Sequence, residues 1–352
     1  MANAGPIRIG IVGIGRAGWG MHCKELEGKE NMFKIVAACD VLADRREKMA
    51  AKYGCKTYES IEQLVADPDV ELVDIATRSA EHLPHALLAL KAKKYVFLEK
   101  PICLDYAEAK KLKSAADKNK GKIFFRHNRR FEPTYQHIRE IMASGILGDI
   151  FEVKLRRMGY ARRDDWQTLI SCNGGQLLNW GPHIVDHALR LLESPVKSIF
   201  GDLKTVACVG DAEDHLKIVL VGKNGRLVDM QISGGSSIKE PEYIVLGTKG
   251  GLHATGDDIC LRYIDPEAKL PPRRANPGTP NENFGTPETL PWIEKTIKAA
   301  PSTKCDMPNT IWIKLYEAVR EGKPFPITTD EAVEVMRVIT AVKKGTKYEI
   351  KR

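Results

Sequence analysis

The stretch that decides the fold is Ile7–Gly20, IRIGIVGIGRAGWG. Its first six residues are Ile- and Val-rich and apolar at nearly every position, the pattern of a strand buried on both faces. The run ends in Gly13, Gly15 and Gly18, in G-x-G-x-x-G spacing. That spacing alone is a weak signal. Here it follows a predicted strand and opens a predicted helix, and the next strand, FKIVAAC, ends at Asp40, about twenty residues on, as a dinucleotide fingerprint requires. Gly13 permits the tight turn, Gly15 lets backbone approach a pyrophosphate, and Gly18 allows close helix–strand packing. The helix N-terminus adds free N–H groups and a positive dipole end. Gly13, Ile14, Gly15, Arg16, Gly18 and Asp40 are therefore candidate cofactor contacts. A glycine-rich turn that holds no ligand is the alternative. A carboxylate at Asp40 suits the ribose hydroxyls of NAD and repels the extra phosphate of NADP, so NAD is expected over NADP. Arg45 and Arg46 complicate that choice, because a nearby arginine can serve the 2′-phosphate.

Working outward, VELVDIAT, KYVFLEK and KIFFRH repeat the apolar run, with helical segments between. ADRREKMAAKY stops at Gly54, and the segment from Asp105 stops at Gly121, so cap residues fall where helix ends need them. Alternating strand and helix predicts a doubly wound parallel sheet of Rossmann type over residues 1–125. The pattern then changes. A helix is expected at Thr134–Ser144, stopped by Gly145, and another over QLLNWGPHIVDHALRLL. HLKIVLVGKNGRLVDMQISG reads as a hairpin about Asn224-Gly225, and EPEYIVLGTKGGLHATG as a second. Residues 265–290, rich in Pro, Asn and Gly, are expected to form a long loop, and a helix at 330–344 closes the chain. Residues 126–352 thus predict a second domain of α+β class with an open, mostly antiparallel sheet. The fold class is α/β followed by α+β.

Composition agrees with a globular chain: of 352 residues, 43% are hydrophobic and 28% charged, values ordinary for soluble domains. The net charge is +8, but Lys and Arg are spread along the chain and no basic block is interleaved with aromatics, so nucleic-acid binding has no local support. A mildly basic surface suits an anionic ligand. No secretory signal is apparent, no apolar run reaches membrane-spanning length, and eight scattered cysteines without a CxxC pair read as reduced thiols; a cytoplasmic location is expected.

YVFLEKPI places Glu99, Lys100 and Pro101 at the end of a buried strand, where ligands sit in open α/β sheets. Pro101 cannot continue a ladder and biases Lys100 away from helix. An ammonium in that crevice can stabilise an alkoxide as a hydride leaves its carbon. A surface lysine closing a strand is the alternative.

With these motifs the sequence resembles the Gfo/Idh/MocA oxidoreductases, the glucose–fructose oxidoreductase and inositol dehydrogenase family. The resemblance spans essentially the whole chain and rests on the Gly13-x-Gly15-x-x-Gly18 turn, Glu99-Lys100-Pro101, RRFEP at Arg129–Pro133, and GGQLLNWGPHIVDH at Gly174–His187. It implies a Rossmann domain, then a domain whose open sheet holds a sugar or cyclitol and often forms an oligomer interface, and a catalytic lysine at Lys100. The family's second motif usually reads Gly-Gly, then Leu-x-Asp-x-Gly-x-His-x-x-Asp. Its histidine falls on His183 and its last acid on Asp186, while Asn179 stands where the first Asp usually is. The resemblance implies that His183 acts on the substrate hydroxyl. Its unperturbed pKa near neutrality suits a general base. Asn179 can hydrogen-bond but supplies no negative charge and takes no proton, so it is expected to be a neutral orienting group.

A metal reading competes, since His183, Asp186 and His187 fall at i, i+3 and i+4 on one helical face, but no second ligand cluster stands out and no metal is expected. A capped core helix is the plainest alternative. Tyr160, Arg163 and Trp166 are candidate substrate-wall residues, as aromatic faces pack on sugar C–H surfaces and Arg binds hydroxyls; an ordinary charged loop competes. Thr77, Arg78 and His82 are candidate cofactor contacts with Glu99, Pro101 and Asn128. Arg129 and His187 are candidate substrate contacts. The expected function is an NAD-dependent dehydrogenase acting on a ring carbinol of a sugar, glycoside or cyclitol, as a homo-oligomer. A redox-assisted glycoside-processing enzyme with tightly bound NAD and a non-catalytic dinucleotide sensor are the alternatives.

Overall fold

The computed structural model describes residues 5–279, 282 and 285–350 of the chain. Its first sheet is built from β1 (Ile7–Val12), β2 (Phe33–Cys39), β3 (Lys56–Tyr58), β4 (Leu72–Ile75), β5 (Tyr95–Leu98) and β6 (Ile123–Phe125). The strand order is β3-β2-β1-β4-β5-β6, and every pairing is parallel. The order reverses between β1 and β4, which opens a crevice at the carboxyl ends of the strands. The apolar runs read from sequence lie here with their core residues fully buried, Ile7, Ile9, Ile11, Val73, Val96 and Phe97 among them. The short β3 has no counterpart among the strands expected from sequence.

Helices cover both faces. A π-helical turn over Gly18–Cys23 continues into α1 (Lys24–Leu26); then come α2 (Ala43–Tyr53), α3 (Ile61–Ala66), α4 (His82–Lys91) and α5 (Tyr106–Lys118). Gly54 ends α2 in the left-handed region, and the Asp105 carboxylate accepts from the Glu108 N–H at the start of α5, as the cap pattern predicts.

After α6 (Pro133–Ala143) the chain forms a second sheet. Its strands are β7 (Ile150–Met158), β8 (Val196–Lys204), β9 (His215–Gly222), β10 (Leu227–Ser233), β11 (Tyr243–Gly247), β12 (Gly250–Thr255), β13 (Asp258–Ile264) and β14 (Trp292–Lys298). The order is β14-β13-β12-β11-β7-β10-β9-β8. All pairs are antiparallel except β7 with β10. Both expected hairpins form, β9–β10 through Asn224-Gly225 and β11–β12. β8, β13 and β14 extend the sheet beyond what the sequence indicates. The described residues between β13 and β14 carry no helix or strand, as expected of that loop.

One expectation is corrected. QLLNWGPHIVDHALRLL is two helices, α7 (Gln176–Asn179) and α8 (Gly181–Leu192), with Trp180 at the joint. Pro182 lies in the first turn of α8, where its missing N–H costs nothing but where the helix must begin anew. α8 lies along one face of the second sheet, whose inward side chains Leu216, Ile218, Val228 and Met230 are fully buried. The opposite face carries Phe200, Val219 and Ile244 in one cross-strand row with Asp229 and Lys154. Phe200 is 59% exposed, and no helix covers that face among the described residues.

Two further helices close the chain, α9 (Met307–Glu321) and α10 (Thr329–Lys343). α9 returns to the first sheet. Its Trp312 is fully buried, stacked edge-on against Phe33 at 5.5 Å and tilted against Phe97 at 4.9 Å. Arg320 ties the same helix to the carbonyls of Gly5 and Pro6 and to Glu71. α10 lies between α5 and α8 and so bridges the two sheets.

Candidate active site

Five of the segments singled out in the sequence meet at the carboxyl ends of the first sheet. Gly13 follows β1, Asp40 follows β2, Ala76–Arg78 follow β4, Glu99–Pro101 follow β5, and Arg126–Arg129 follow β6. The Gly turn tests directly for a dinucleotide. Gly13 has φ +90°, and a Cβ there would lie 2.8 Å from the Ala76 backbone; at Gly18 a Cβ would lie 2.1 Å from the Gly13 carbonyl. Both positions therefore exclude any side chain. At Gly15 a Cβ would meet only Arg45 Nη1, at 3.7 Å. The two outer glycines serve the turn's own packing, and the middle one leaves bare backbone facing open space, which fits a pyrophosphate.

Asp40 is buried at the rim of this turn. Its Oδ2 accepts the Ile14 N–H at 2.8 Å and Arg45 Nη1 at 3.2 Å, and its Oδ1 accepts the Leu42 N–H at 3.0 Å. Oδ2 already accepts twice, so the remaining acceptor capacity for a ribose hydroxyl lies on Oδ1. Arg46 turns away, donating to the Asp40 and Val41 carbonyls and to Glu59. Arg16 is exposed on the turn.

Lys100 joins the two halves of the chain. Its Nζ donates to the backbone carbonyl of Asn179, the last residue of α7, at 2.9 Å. One of its three N–H donors is so engaged, and two remain for a ligand. Burial lowers its pKa; Glu99 opposes this, while Arg16, Arg126 and Arg129 add to it.

His183 is buried in the first turn of α8, edge-on to Trp180 at 5.9 Å. Its Nδ1 has no hydrogen-bond partner. Burial, then the Lys100 and Arg129 charges, hold its pKa well below the usual imidazole range, so the ring is a neutral base at neutral pH. The Asn179 side chain makes one long contact, its Oδ1 3.5 Å from Gln167 Nε2. Gly175, with φ +107°, starts α7 against Glu213: a Cβ there would lie 2.2 Å from the Glu213 carboxylate, whose Oε1 accepts the Leu177 N–H at 3.1 Å. The double glycine therefore seats the short helix that presents the Asn179 carbonyl to Lys100.

Three expected contacts have other duties. Asp186 and His187 do not join His183 in a metal set. The Asp186 carboxylate is clamped by Arg130, with Nε and Nη2 both at 2.6 Å. His187 donates from Nε2 to the Arg129 carbonyl at 2.9 Å, accepts from the Tyr243 hydroxyl at 3.2 Å on Nδ1, and stacks on Tyr135 at 3.8 Å. Burial holds it neutral, with a pKa of about 4, and neither nitrogen is left for a substrate. Among the described residues no group of three or more metal-ligating side chains forms. His82 is likewise internal: its ring lies 2.6 Å from the Pro101 carbonyl and 3.1 Å from that of Thr77. Burial lowers its pKa, so the single N–H of the neutral ring goes to Pro101, and His82 joins two crevice loops. The Glu99 carboxylate also points inward, to His22 and Arg126.

The remaining expected residues lie on the segments that follow β4 and β6 and that join β7 to α7. Arg78, after β4, lies over the Trp166 ring at 5.4 Å, so the two halves also touch there. Thr77 Oγ1 is 3.3 Å from His85 Nδ1. Asn128 is buried beside Arg129, whose guanidinium covers Trp180 at 4.0 Å. Arg129, Trp180, His183, His187 and Tyr243 line a shallow recess. Arg163 is paired with Asp165 and Gln167, and Tyr160 is 64% exposed and bridged to Gly235. Sequence reasoning passes over His127, which is buried beside Asn128 with Nδ1 unpartnered, and Arg130. Both lie in the RHNRRF segment whose neighbouring residues are candidates.

Comparison with known proteins bears on this geometry. A family model described as "Oxidoreductase family, NAD-binding Rossmann fold" matches residues 7–127, and one described as "GFO/IDH/MocA C-terminal domain" matches residues 135–253. The chain is 26% identical over 346 residues to the scyllo-inositol 2-dehydrogenase (NADP(+)) of Bacillus subtilis, covering 97% of this chain and 94% of that one. It is 30% identical over 264 residues to an uncharacterized oxidoreductase of Schizosaccharomyces pombe, covering 72% and 71%. With the myo-inositol 2-dehydrogenase of Thermotoga maritima it shares 28% identity over 255 residues, 70% and 75% of the two chains. The crystal structure of an NAD-binding protein from Listeria innocua superposes with a TM-score of 0.80 at 24% identity, covering 97% of this chain and 95% of that one.

Proposed function

The chain belongs to the Gfo/Idh/MocA oxidoreductase family, and on that premise we propose that it is an NAD-dependent dehydrogenase of a cyclitol or sugar ring carbinol. When bound, the dinucleotide takes up or returns the hydride at the nicotinamide C4. Everything else falls to the residues of this chain. Removing hydride from the carbinol carbon leaves a carbonyl only if the hydroxyl proton also departs. His183, held neutral by burial and by the Lys100 and Arg129 charges, takes that proton onto its imidazole. Lys100 stabilises the charge that develops on the oxygen, using the donors left free by Asn179. The Asn179 side chain orients the hydroxyl without adding charge. Arg129 and Trp166 form polar and aromatic walls for the ring, with Tyr160 and Arg163 at the outer edge.

The observation that carries this reading is the 2.9 Å hydrogen bond from the Lys100 ammonium to the Asn179 carbonyl. It brings the cofactor half and the histidine half together at the strand ends where ligands of this architecture sit. The named inositol dehydrogenases among the relatives favour a cyclitol. NAD is favoured over NADP by the Asp40 carboxylate at the turn, although Arg45 beside it offsets part of the repulsion of a 2′-phosphate. The deciding experiment screens reduction of NAD and NADP by inositols, monosaccharides and glycosides, with any bound cofactor identified by mass. Reduction by at least one ring polyol, lowered about a hundred- to thousandfold in Lys100→Met, is the expected result. Release of an aglycone without net reduction would replace simple dehydrogenation by transient oxidation, and tight dinucleotide binding without turnover on any polyol would overturn the enzymatic reading.

A further inference from the structure

Behind Glu99–Lys100–Pro101 lies a buried ionic cluster that the chemistry above does not use. His22 stands on the π-helical turn that follows the glycines, and its ring is fully buried. Nδ1 is 2.7 Å from Asp74 Oδ2, and Nε2 is 3.0 Å from Glu99 Oε1. A carboxylate oxygen only accepts, so each of these bonds requires an N–H on the ring, and a neutral imidazole has one. Glu99 is the hub. Its Oε1 also accepts Arg126 Nη1 at 2.6 Å, and its Oε2 accepts the backbone N–H of Lys100 at 2.9 Å. Arg126 reaches on to Glu25 of α1 at 2.7 Å, which accepts Trp312 Nε1 of α9 at 2.8 Å.

The charged groups facing this site are Asp74 from β4, Glu99 after β5, Glu25 from α1, Arg126 after β6 and Lys100. Phe97 and Trp312 supply the remaining, uncharged walls. Three carboxylates stand against Arg126 and Lys100, and the set is neutral only with a charge on His22. Burial works against that charge, yet the Asp74 and Glu99 carboxylates outweigh both burial and Arg126 and lift the His22 pKa to about 9.

We infer that His22 is a positioning residue: as an imidazolium it fixes the Glu99 carboxylate whose other oxygen holds the Lys100 amide, and so ties the dinucleotide turn to the lysine of the reaction. The inference rests on the role given to Lys100 above, but two of its three tests need no substrate.

Nitrogen-15 NMR of histidine-labelled protein at pH 7.5 is expected to show the buried ring with both nitrogens protonated; a singly protonated ring overturns the inference. A crystal structure of His22→Gln is expected to show the Glu99–Lys100 peptide displaced and the Lys100–Asn179 hydrogen bond broken; a peptide and hydrogen bond that stay in place overturn it. Kinetically, H22Q is expected to lower kcat roughly ten- to a hundredfold, the scale of a catalytic group misplaced by about 1 Å. NADH affinity, read by fluorescence, should stay within about threefold of the parent, because the glycines themselves are untouched. A kcat within twofold of the parent, or a matched loss of NADH binding, overturns the inference. If H22Q does not fold, His22→Gln combined with Asp74→Asn, where amide faces amide and no charge is stranded, takes its place in the same measurements. Absence of turnover in the parent itself would count against the polyol reading and leave the NMR and crystallographic outcomes to decide this one.

Discussion

Lys100 and His183 bound activity from opposite sides of the pH scale. Lys100 must be charged to stabilise an oxyanion, and burial, with Arg16, Arg126 and Arg129, lowers its pKa against Glu99. Activity is therefore lost as pH rises, and the basic limb arrives below the range of an exposed lysine. His183 must be neutral to accept a proton, and burial with Lys100 and Arg129 keeps it so well below the usual imidazole range. A kcat/KM profile taken from about pH 5 to about pH 10 is expected to be flat on its acid side through neutrality. Asn179→Asp places a carboxylate four residues before the histidine, across the joint between α7 and α8; it favours the imidazolium and is expected to move the acid limb up by on the order of one pH unit. Lys100→Met should cost about 10²–10³ in kcat/KM while leaving NADH fluorescence titrations unchanged. The residues legible from sequence are those whose role is set by their own backbone: Gly13, Gly18 and Asp40 follow from one local turn. Arg130 with Asp186, and His22 with Asp74 and Glu99, join partners from distant segments, and such pairs leave no local periodicity to read. Helical spacing sets His187 and Asp186 on one face with His183 and so suggests a metal set; spacing gives the face but not the partners already held there.

The joint between α7 and α8 is the element on which the proposed site depends. A continuous helix would carry the Asn179 carbonyl into its own ladder, whereas the break at Trp180 frees it for Lys100. Gly175→Ala would force an L-residue into φ +107° against the Glu213 carboxylate. It is expected to destabilise the protein by about 1–3 kcal/mol in urea titration and to depress kcat together with stability. Trp312→Ala removes the anchor of α9 and leaves Glu25 without its indole donor. A loss of about 3–5 kcal/mol is expected, read as a lower urea midpoint. The two hairpins are legible because Asn224-Gly225 and alternating apolar residues are local signals. β13, β14 and α9 are not: β14 is an edge strand with most of its residues exposed, and α9 carries Pro308 in its first turn, which interrupts a helical pattern read along the chain.

At the scale of the molecule, the second sheet leaves one broad face without a helix among the described residues. Phe200, Val219 and Ile244 lie there in a row with the Lys154 and Asp229 charges. The exposed aromatic ring of Phe200 on such a helix-free face is most simply covered by a second copy of the chain. Light scattering on purified protein is expected to give at least a dimer, and Phe200→Asp is expected to shift it toward monomer without unfolding it. The return of α9 has a consequence for how the chain is made. The strands and helices that receive it all leave the ribosome first, yet the indole that fills their centre is encoded near the other end. At roughly 5–20 residues per second, the nascent nucleotide-binding half waits on the order of 10–40 s with Phe33, Phe97 and the His22 cluster uncovered. Holdase chaperones should therefore find their target in the early part of this protein, during synthesis and not after it.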